Sequence, residues 1–405
     1  MNVILLSPGF PGEMPFFARG LAEIGAKVLG VGEQPEGALP DLARHSLSAY
    51  LQVDSLWDED RVIEKVRRYA SGLEVHRVEC LWEPAMLLAA RLREAVGVVG
   101  MTRSQTLPFR DKEVMKHALD RWHIRTPRHV RASSVEACRK AAEFVGYPLI
   151  IKPIAGAGSA DTHRVDTPEE LERAAGLVAH VPEVSVEEFI DGEEYTFDTI
   201  CVDGTILYYN IAWYRPRPLI GRTVEWISPQ TVTLRDVEQP ALAAGRNMGK
   251  AVLRALDFKT GFTHMEWYLK ADGEAVFGEI AARPPGARSV ELMNYACDID
   301  VFTGWAEATC RRRFSQVVRR KYNAAVVFKR ARGAGRVARI EGLESILARY
   351  GPHVVSVELS PVGTPRRDWR STLLSDGWLI VRHPDLETTL EIADCIGADL
   401  QLYAE

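Results

Sequence analysis

The hydrophobic positions divide the chain into regions of different period. In the first quarter, short apolar runs alternate with stretches of helical spacing. Asn2 to Leu6 reads as a buried strand, broken by Ser7-Pro8-Gly9 and Pro11-Gly12. Met14, Phe17, Leu21 and Ile24 follow a helical period that Gly25 ends. Lys27 to Val31 is a second strand, and Val62, Ile63, Val66 and Tyr69 mark a helix. Val75 to Trp82 is a further strand, and Pro84 opens the next helix. Strands alternating with helices predict a parallel sheet with helices packed on it. Residues 1–105 therefore read as a small Rossmann-like α/β domain. No G-x-G-x-x-G follows its first strand, which leaves dinucleotide binding without support.

Downstream the pattern changes. After Arg110-Asp111-Lys112, a helix carries Val114, Met115, Ala118, Leu119 and Trp122 on one face. Ser133-x-x-Glu136 predicts a capping box for a helix that runs to Gly146. Pro148 to Lys152 is a strand, followed by the glycine-rich run Pro153 to Ala160. Val184 to Ile190 alternates and turns at Asp191-Gly192 into another strand, and Asp203-Gly204 marks a hairpin. This part of the chain is predicted antiparallel. Residues 211–231 show no period and read as a long irregular loop. Pro240 to Leu256 is a helix. Next comes the stretch His264 to Arg283, in which two apolar-rich runs flank Ala271-Asp272-Gly273-Glu274 and predict a hairpin. From Asn323 the pattern is strand, strand, helix (Leu343 to Tyr350), strand, strand (Trp378 to Val381), helix from Pro384, and a last strand at Leu400 to Tyr403. That is an α+β unit of about 80 residues, enough for a small domain.

Composition narrows the class. A chain of 405 residues suggests two or three domains, and 46% hydrophobic with 26% charged residues suits a globular core. A formal net charge of −5 argues against a nucleic-acid-binding surface. Six scattered cysteines show no metal-ligand spacing and read as reduced thiols, which points to the cytoplasm. The N-terminus reads as a strand rather than a signal peptide, and no run approaches the ~20 apolar residues a membrane helix needs. The basic runs Arg311-Arg312-Arg313 and Arg319-Arg320-Lys321 read as solvated helix ends or linker.

The hairpin carries the sharpest chemistry. Residues two apart on a strand share a face, so His264 and Glu266 point one way, and Glu279, Ala281 and Arg283 line one face of the second strand. In register, Glu266 and Glu279 converge with Arg283 beside them. Like charges repel, and a divalent cation supplies a reason for two carboxylates to meet. An ordinary hairpin would instead solvate its acids, so the decision rests on the rest of the chain. Lys112 sits in the first turn of a helix, where a cation opposes the dipole, a hint of a bound anion. Lys152 closes a strand immediately before a run of small residues whose backbone N–H groups can approach phosphate.

Taken as a set, these motifs resemble the ATP-grasp superfamily, and within it the carboxylate–amine ligases of the L-amino-acid ligase and carnosine-synthase-like group. The resemblance covers nearly the whole chain. It implies a Rossmann-like parallel-sheet domain over 1–105, a two-part ATP-grasp core over 106–315 with a lid at about 125–190, and a C-terminal α+β domain over 316–405. By resemblance, Lys112 and Lys152 bind phosphates, and Gly156, Gly158 and Ser159 belong to the loop that covers them. Glu187 stands near the adenine amino group, the backbone of Glu188 and Ile190 reads the adenine edge, and Glu194 holds the ribose. Glu266 and Glu279 are the metal ligands, and Arg283 lies beside the transferring phosphate. Two positions depart from the pattern. Ala281 stands where many members have an asparagine ligand, and His264 stands where some have an arginine. A histidine at 264 that is neutral at pH 7 stabilises charge less.

The resemblance implies ATP and Mg²⁺, with Mn²⁺ as a substitute, and an ADP-forming ligase that makes an amide through an acyl phosphate. An ATP-dependent carboxylase of the carboxyaminoimidazole ribonucleotide synthetase type is the alternative. The expected partners are small-molecule carboxylate and amine substrates, without nucleic acid or membrane, and a homodimer is allowed. Arg215, Arg217, Arg222, Arg288 and Trp213 are candidates to line the substrate pockets.

Overall fold

The strands Ala49–Gln52, Lys27–Gly32, Asn2–Leu6 and Arg77–Glu79 lie side by side in that order as one parallel sheet. Four of the five residues of Asn2–Leu6 are buried, because helices cover both faces of the sheet. Val3 and Leu5 pack against Phe17 and Leu21 of the helix Met14–Glu23. Ile4 and Leu6 pack on the other face, against Leu88 and Leu92 of Met86–Val96. The two-residue period of a strand and the 3.6-residue period of a helix thus account for the apolar positions that face this core. Phe17 also meets Phe302 and Trp305 edge-on, at 4.9 and 5.2 Å between ring centroids. Those contacts fix the layer onto the helix Val301–Arg311. In this computed structural model, residues 1–154, 161–370, 372 and 374–405 are described.

A nine-stranded antiparallel sheet forms the middle of the molecule. Its order is Ala275–Ala281, Gly261–Leu269, Glu193–Val202, Ala212–Arg215, Gln230–Thr233, Asn323–Phe328, Gly377–His383 and Val354–Leu359, with Thr205–Asn210 paired to Glu193–Val202. The sheet runs across position 316, since Gln230–Thr233 pairs with Asn323–Phe328. Asn323–Phe328 is buried at all six positions and needs a strand on each side as well as cover on both faces. Behind the sheet lies the helix Ala243–Ala255. A Cβ on Gly245 would stand 2.2 Å from the Trp267 ring, so the missing side chain is what lets this helix approach the strand.

A second antiparallel sheet, His129–Ala132, Val184–Glu188, Leu149–Pro153 and His163–Val165, has its own core with the helices Val135–Val145 and Pro168–Leu177. The sheet is tied to the helix Lys112–Asp120 through His129, whose two ring nitrogens meet Glu113 Oε2 at 2.8 Å and Asp120 Oδ2 at 3.0 Å.

Two local expectations need correction. The cap of Val135–Val145 is Ser134, which accepts from the Ala137 N–H at 3.1 Å, one residue later than the Ser133 capping box. Residues 211–231 are not an irregular loop. They form the strand Ala212–Arg215, the short helix Pro218–Thr223 and the start of Gln230–Thr233. Strands of four residues between prolines are too short to display a period, and only pairing within the large sheet reveals them. Among the described residues, no helix is long and apolar enough to cross a membrane.

Candidate active site

The hairpin between Gly261–Leu269 and Ala275–Ala281 forms in the register that alternation predicts. Glu266 stands directly opposite Glu279, and His264 opposite Ala281. Gly273 closes the turn at a φ of 85°, which favours glycine. A bulge follows Glu266, where Trp267 pairs with Phe277 and leaves Gly278 unopposed. A Cβ on Gly278 would meet the Glu266 carbonyl oxygen at 2.9 Å. The glycine therefore permits the kink that lies beside both acids.

Each acid meets a cation. Lys112 Nζ lies 3.3 Å from Glu279 Oε2, and the Lys112 side chain is buried rather than solvated. His264 Nε2 lies 3.4 Å from Glu266 Oε1, while its Nδ1 meets Asp198 Oδ1 at 2.6 Å. Burial alone would lower the imidazole pKa, but the bonds to Asp198 and Glu266 outweigh it and raise the value to about 9. The two acids thus favour the charged ring at His264. Asp198 sits within the apolar strand Glu193–Val202, and no expectation singled it out. It shares a face with Glu194 and Thr196, and an acid at that alternation within a buried strand was the available signal. Tyr214 adds a hydroxyl that donates to Glu266 Oε1 at 3.3 Å.

Arg283 is held from the parallel-sheet layer. Its Nε and Nη2 donate to Glu83 Oε2 at 2.9 and 2.8 Å. Glu83 also accepts from Arg110. Burial would raise the Glu83 carboxyl, yet the neighbouring Arg283 and Arg110 hold it below the usual range. Glu83 escaped the sequence reading, although it follows the carboxyl end of a parallel strand, where open α/β sheets place ligand contacts.

The lysine pair converges on one acid. Glu187 is buried and bonds both Lys152, at 2.9 Å, and Lys116. Burial opposes its charge, but the two lysines overcome this and keep the carboxyl ionised. Lys116, one helical turn beyond Lys112, is fully buried and was also missed. Glu194 is buried near Arg217, whose Nε lies 3.6 Å away. Burial, and then the charge of Glu266, push its carboxyl up to about 8. The Ile190 carbonyl accepts from Arg217 Nη1 at 2.9 Å, and the Glu188 side chain turns to Arg125. Gly156, Gly158 and Ser159 lie outside the described residues.

All the other predicted site residues line one cavity of about 440 Å³, a volume typical of small-molecule sites. Lys112, Lys152, Glu187, Glu188, Ile190, Glu194, His264, Glu266, Glu279 and Arg283 all face it. Of the five suggested substrate-pocket residues, Arg217 and Arg222 line the cavity. The other three turn elsewhere. Arg215 pairs with Asp394, Arg288 pairs with Glu291, and Trp213 donates to Glu193 Oε2 at 2.8 Å. Tyr214 lines the cavity between Trp213 and Arg215, because neighbours on a strand face opposite ways. The cavity also has apolar lining that includes Met14, Leu81, Trp82 and Phe328.

The sequence pattern of the ATP-grasp domain family matches residues 109–213. An L-arginine-specific L-amino acid ligase of Bacillus subtilis is 29% identical over 211 residues, 50% of this chain and 50% of that protein. A formate-dependent phosphoribosylglycinamide formyltransferase of Synechococcus sp. (strain CC9605) is 25% identical over 262 residues, 60% of this chain and 61% of the relative. The chain thus spans about half to three-fifths of the length of these curated relatives. Among solved structures, an L-amino acid ligase from Bacillus licheniformis superposes with a TM-score of 0.81 at 21% identity, over 100% of this chain and 98% of the other. An N5-carboxyaminoimidazole ribonucleotide synthetase from Thermotoga maritima gives 0.74 at 18%, over 100% and 99%. Residues 109–213 match the ATP-grasp domain family, and the whole chain has the ATP-grasp fold.

Proposed function

We propose that this protein is an ATP-dependent carboxylate–amine ligase that forms an amide or peptide bond through an acyl phosphate, releases ADP and phosphate, and takes an amino acid among its substrates. The observation that carries this reading is the direct opposition of Glu266 and Glu279 in a cavity that also holds Lys112, Lys152 and Arg283. The likeness to L-amino acid ligases supports it.

The residues fit a nucleotide with a divalent ion. Two carboxylates opposed across a ladder call for a cation between them. Each nearby cation leans on an internal acid that phosphate oxygens can replace. A divalent ion at Glu266 and Glu279, Mg²⁺ in our reading and Mn²⁺ as substitute, supplies neutralisation of charge on the phosphate oxygens when bound. Lys112 and Lys152 hold the nucleotide phosphates. Glu187, with the backbone of Glu188 and Ile190, receives the adenine, and Glu194 receives the ribose hydroxyls. Arg283 presents its planar fork to the transferring phosphoryl group, fixed in orientation by Glu83. His264, held charged by Asp198, adds a further positive group beside Glu266.

A carboxylate is a poor acyl donor. Its oxygen attacks the γ-phosphorus, the bond from that phosphorus to the ADP oxygen breaks, and an acyl phosphate forms. The amine nitrogen then attacks the acyl carbon, the carbon–oxygen bond to phosphate breaks, and the departing phosphate takes up the amine proton. Positioning and charge neutralisation carry most of the first step. Water has to be excluded during both steps. We assign that task to residues 125–190 acting as a lid, with Gly156, Gly158 and Ser159 covering the phosphates. In this reading residues 1–105, 106–315 and 316–405 are the three functional divisions, and small-molecule carboxylate and amine are the substrates. The six free thiols suit a reducing cytoplasm.

The test supplies candidate acids and amines with ATP and Mg²⁺ and separates the nucleotides. ADP and phosphate appear in step with amide, and hydroxylamine in place of the amine gives a hydroxamate. AMP with pyrophosphate overturns the proposal, and dependence on bicarbonate in place of a carboxylic acid favours the carboxylase alternative.

A further inference from the structure

We propose that Arg222 is the subsite for a second carboxylate of the substrate pair, one that takes no part in the reaction. The inference rests on the ligase reading above and names what that ligase selects.

Five lysine and arginine side chains line the cavity: Lys112, Lys152, Arg217, Arg222 and Arg283. Four of them have an acidic side chain within 4.0 Å, namely Glu279 at 3.3 Å, Glu187 at 2.9 Å, Glu194 at 3.6 Å and Glu83 at 2.8 Å respectively, although burial raises the Glu194 carboxyl to about 8. Among the described residues, Arg222 has none, and its one hydrogen bond runs from Nη1 to the carbonyl of Arg370, at 2.7 Å. Its Nε, like that of Arg217, is buried with no acceptor among the described residues. Burial, with no acid to oppose it, lowers the guanidinium pKa.

The surroundings deepen the imbalance. Arg222 closes the short helix Pro218–Thr223. Arg330 packs against that helix end and spends its donors there, Nη2 to the Gly221 carbonyl at 2.7 Å and Nη1 to the Val224 and Glu225 carbonyls at 2.9 and 3.1 Å. Arg330 also lies over Trp369, 4.6 Å from the ring centroid. Arg366 takes the local acid, Glu225. Arg330 and Arg366 thus meet backbone carbonyls and Glu225, while Arg222, on the cavity wall, has no acid beside it among the described residues. A guanidinium fork without an acid, on the wall of a partly apolar cavity, matches a carboxylate in shape and charge. Arg222 bonds the Arg370 carbonyl and stands beside Arg330, whereas Arg283, Lys112 and Lys152 meet Glu83, Glu279 and Glu187, so an anion at Arg222 is a different group from the carboxylate that is phosphorylated. Two sources fit this chemistry: the α-carboxylate of an amino acid acting as the amine, or a side-chain carboxylate on the acid that is activated.

The experiment measures kcat/KM for matched pairs in the wild type, Arg222→Leu and Arg222→Lys. In one arm the amine is an amino acid or its carboxamide, with the acid held constant. In the other the acid is aspartate or glutamate against asparagine or glutamine, with the amine held constant. Loss of a charge-assisted contact predicts a fall of about 10- to 100-fold in Arg222→Leu for the carboxylate of one arm, and a change of less than about 3-fold for its carboxamide. Arg222→Lys falls between. The sensitive arm identifies the source, and an unchanged carboxylate-to-carboxamide ratio in both arms overturns the proposal.

A second readout does not need turnover: the shift in thermal unfolding when each of these compounds is added to protein with ADP and Mg²⁺. An Arg222-dependent shift for carboxylates over carboxamides supports the subsite even if no amide forms with any pair, in which case the ligase reading fails alone. Amide formation that keeps its carboxylate preference in Arg222→Leu sinks the subsite and leaves the ligase reading standing.

Discussion

Two parts of the cavity wall differ in where their counter-charges sit. Lys112, Lys152 and Arg283 each already have an internal acid, in Glu279, Glu187 and Glu83. A ligand entering there exchanges one partner for another, and the protein folds without leaving a bare buried charge. Arg222, among the described residues, has only the backbone carbonyl of Arg370. There the ligand brings the counter-charge itself. The self-compensated part suits the proposed nucleotide, and the uncompensated part suits a selective contact, because leaving a desolvated charge unpaired penalises the wrong ligand.

The largest break in this comparison comes from the acids of the hairpin. Glu279→Gln removes both a proposed metal ligand and the partner of Lys112. Turnover should fall by about 10³-fold or more while the fold persists. Phosphate release and the thermal unfolding curve measure the two independently, and normal turnover would remove the metal assignment.

Next in size is Glu83, which joins the two layers through Arg283 and Arg110. Glu83→Gln leaves two guanidinium groups short of a buried acid, and we expect a loss of about 3 kcal/mol in urea unfolding. Loss of orientation at Arg283 should also lower kcat by about 10- to 100-fold. A variant of unchanged stability would show that the arginines find other partners.

Glu194 separates binding from chemistry. Ribose contacts are equal in ground and transition states, so Glu194→Ala should raise the KM for ATP about 10-fold and change kcat little. A loss confined to kcat would place Glu194 nearer the reaction than its position beside Arg217 suggests.

The smallest effect is a pH dependence of the joint between the helix Lys112–Asp120 and the small sheet. Burial disfavours a charged His129, but the bonds to Glu113 and Asp120 raise its pKa above the ordinary histidine value. The imidazolium then contributes stability that is complete below about pH 6.5 and is lost as pH rises through the raised value. His129→Gln should flatten that part of the stability profile by about 1 kcal/mol or less. A wild-type profile that rises with pH over this range would contradict the assignment.

How far these arrangements were legible in advance depended on distance along the chain. The opposition of Glu266 and Glu279 followed from alternation and an Asp-Gly turn within twenty residues. Lys112 and Lys152 stood out through a helix start and a strand end. Lys116 and Glu83 did not, because Lys116 meets Glu187 from 71 residues away, and Glu83 meets Arg283 from 200 residues away. The partner of His264 was out of reach for the same reason, since Asp198 lies 66 residues before it.

Sequence by itself determined the layers, the hairpin register and the residue types of a nucleotide site. Hydrophobic period and turn chemistry are local properties and are written along the chain. Tertiary structure decided which charges neutralise one another, that the strands beyond residue 316 extend the central sheet, and that residues 211–231 are strand and helix. Coulomb interaction and strand pairing depend on separation in space, and a sequence does not carry that separation until the chain folds. The same holds for Arg222. Its lack of an acid is a property of everything that packs around it, and only the folded cavity shows which lining cations have an acid beside them and that, among the described residues, Arg222 does not.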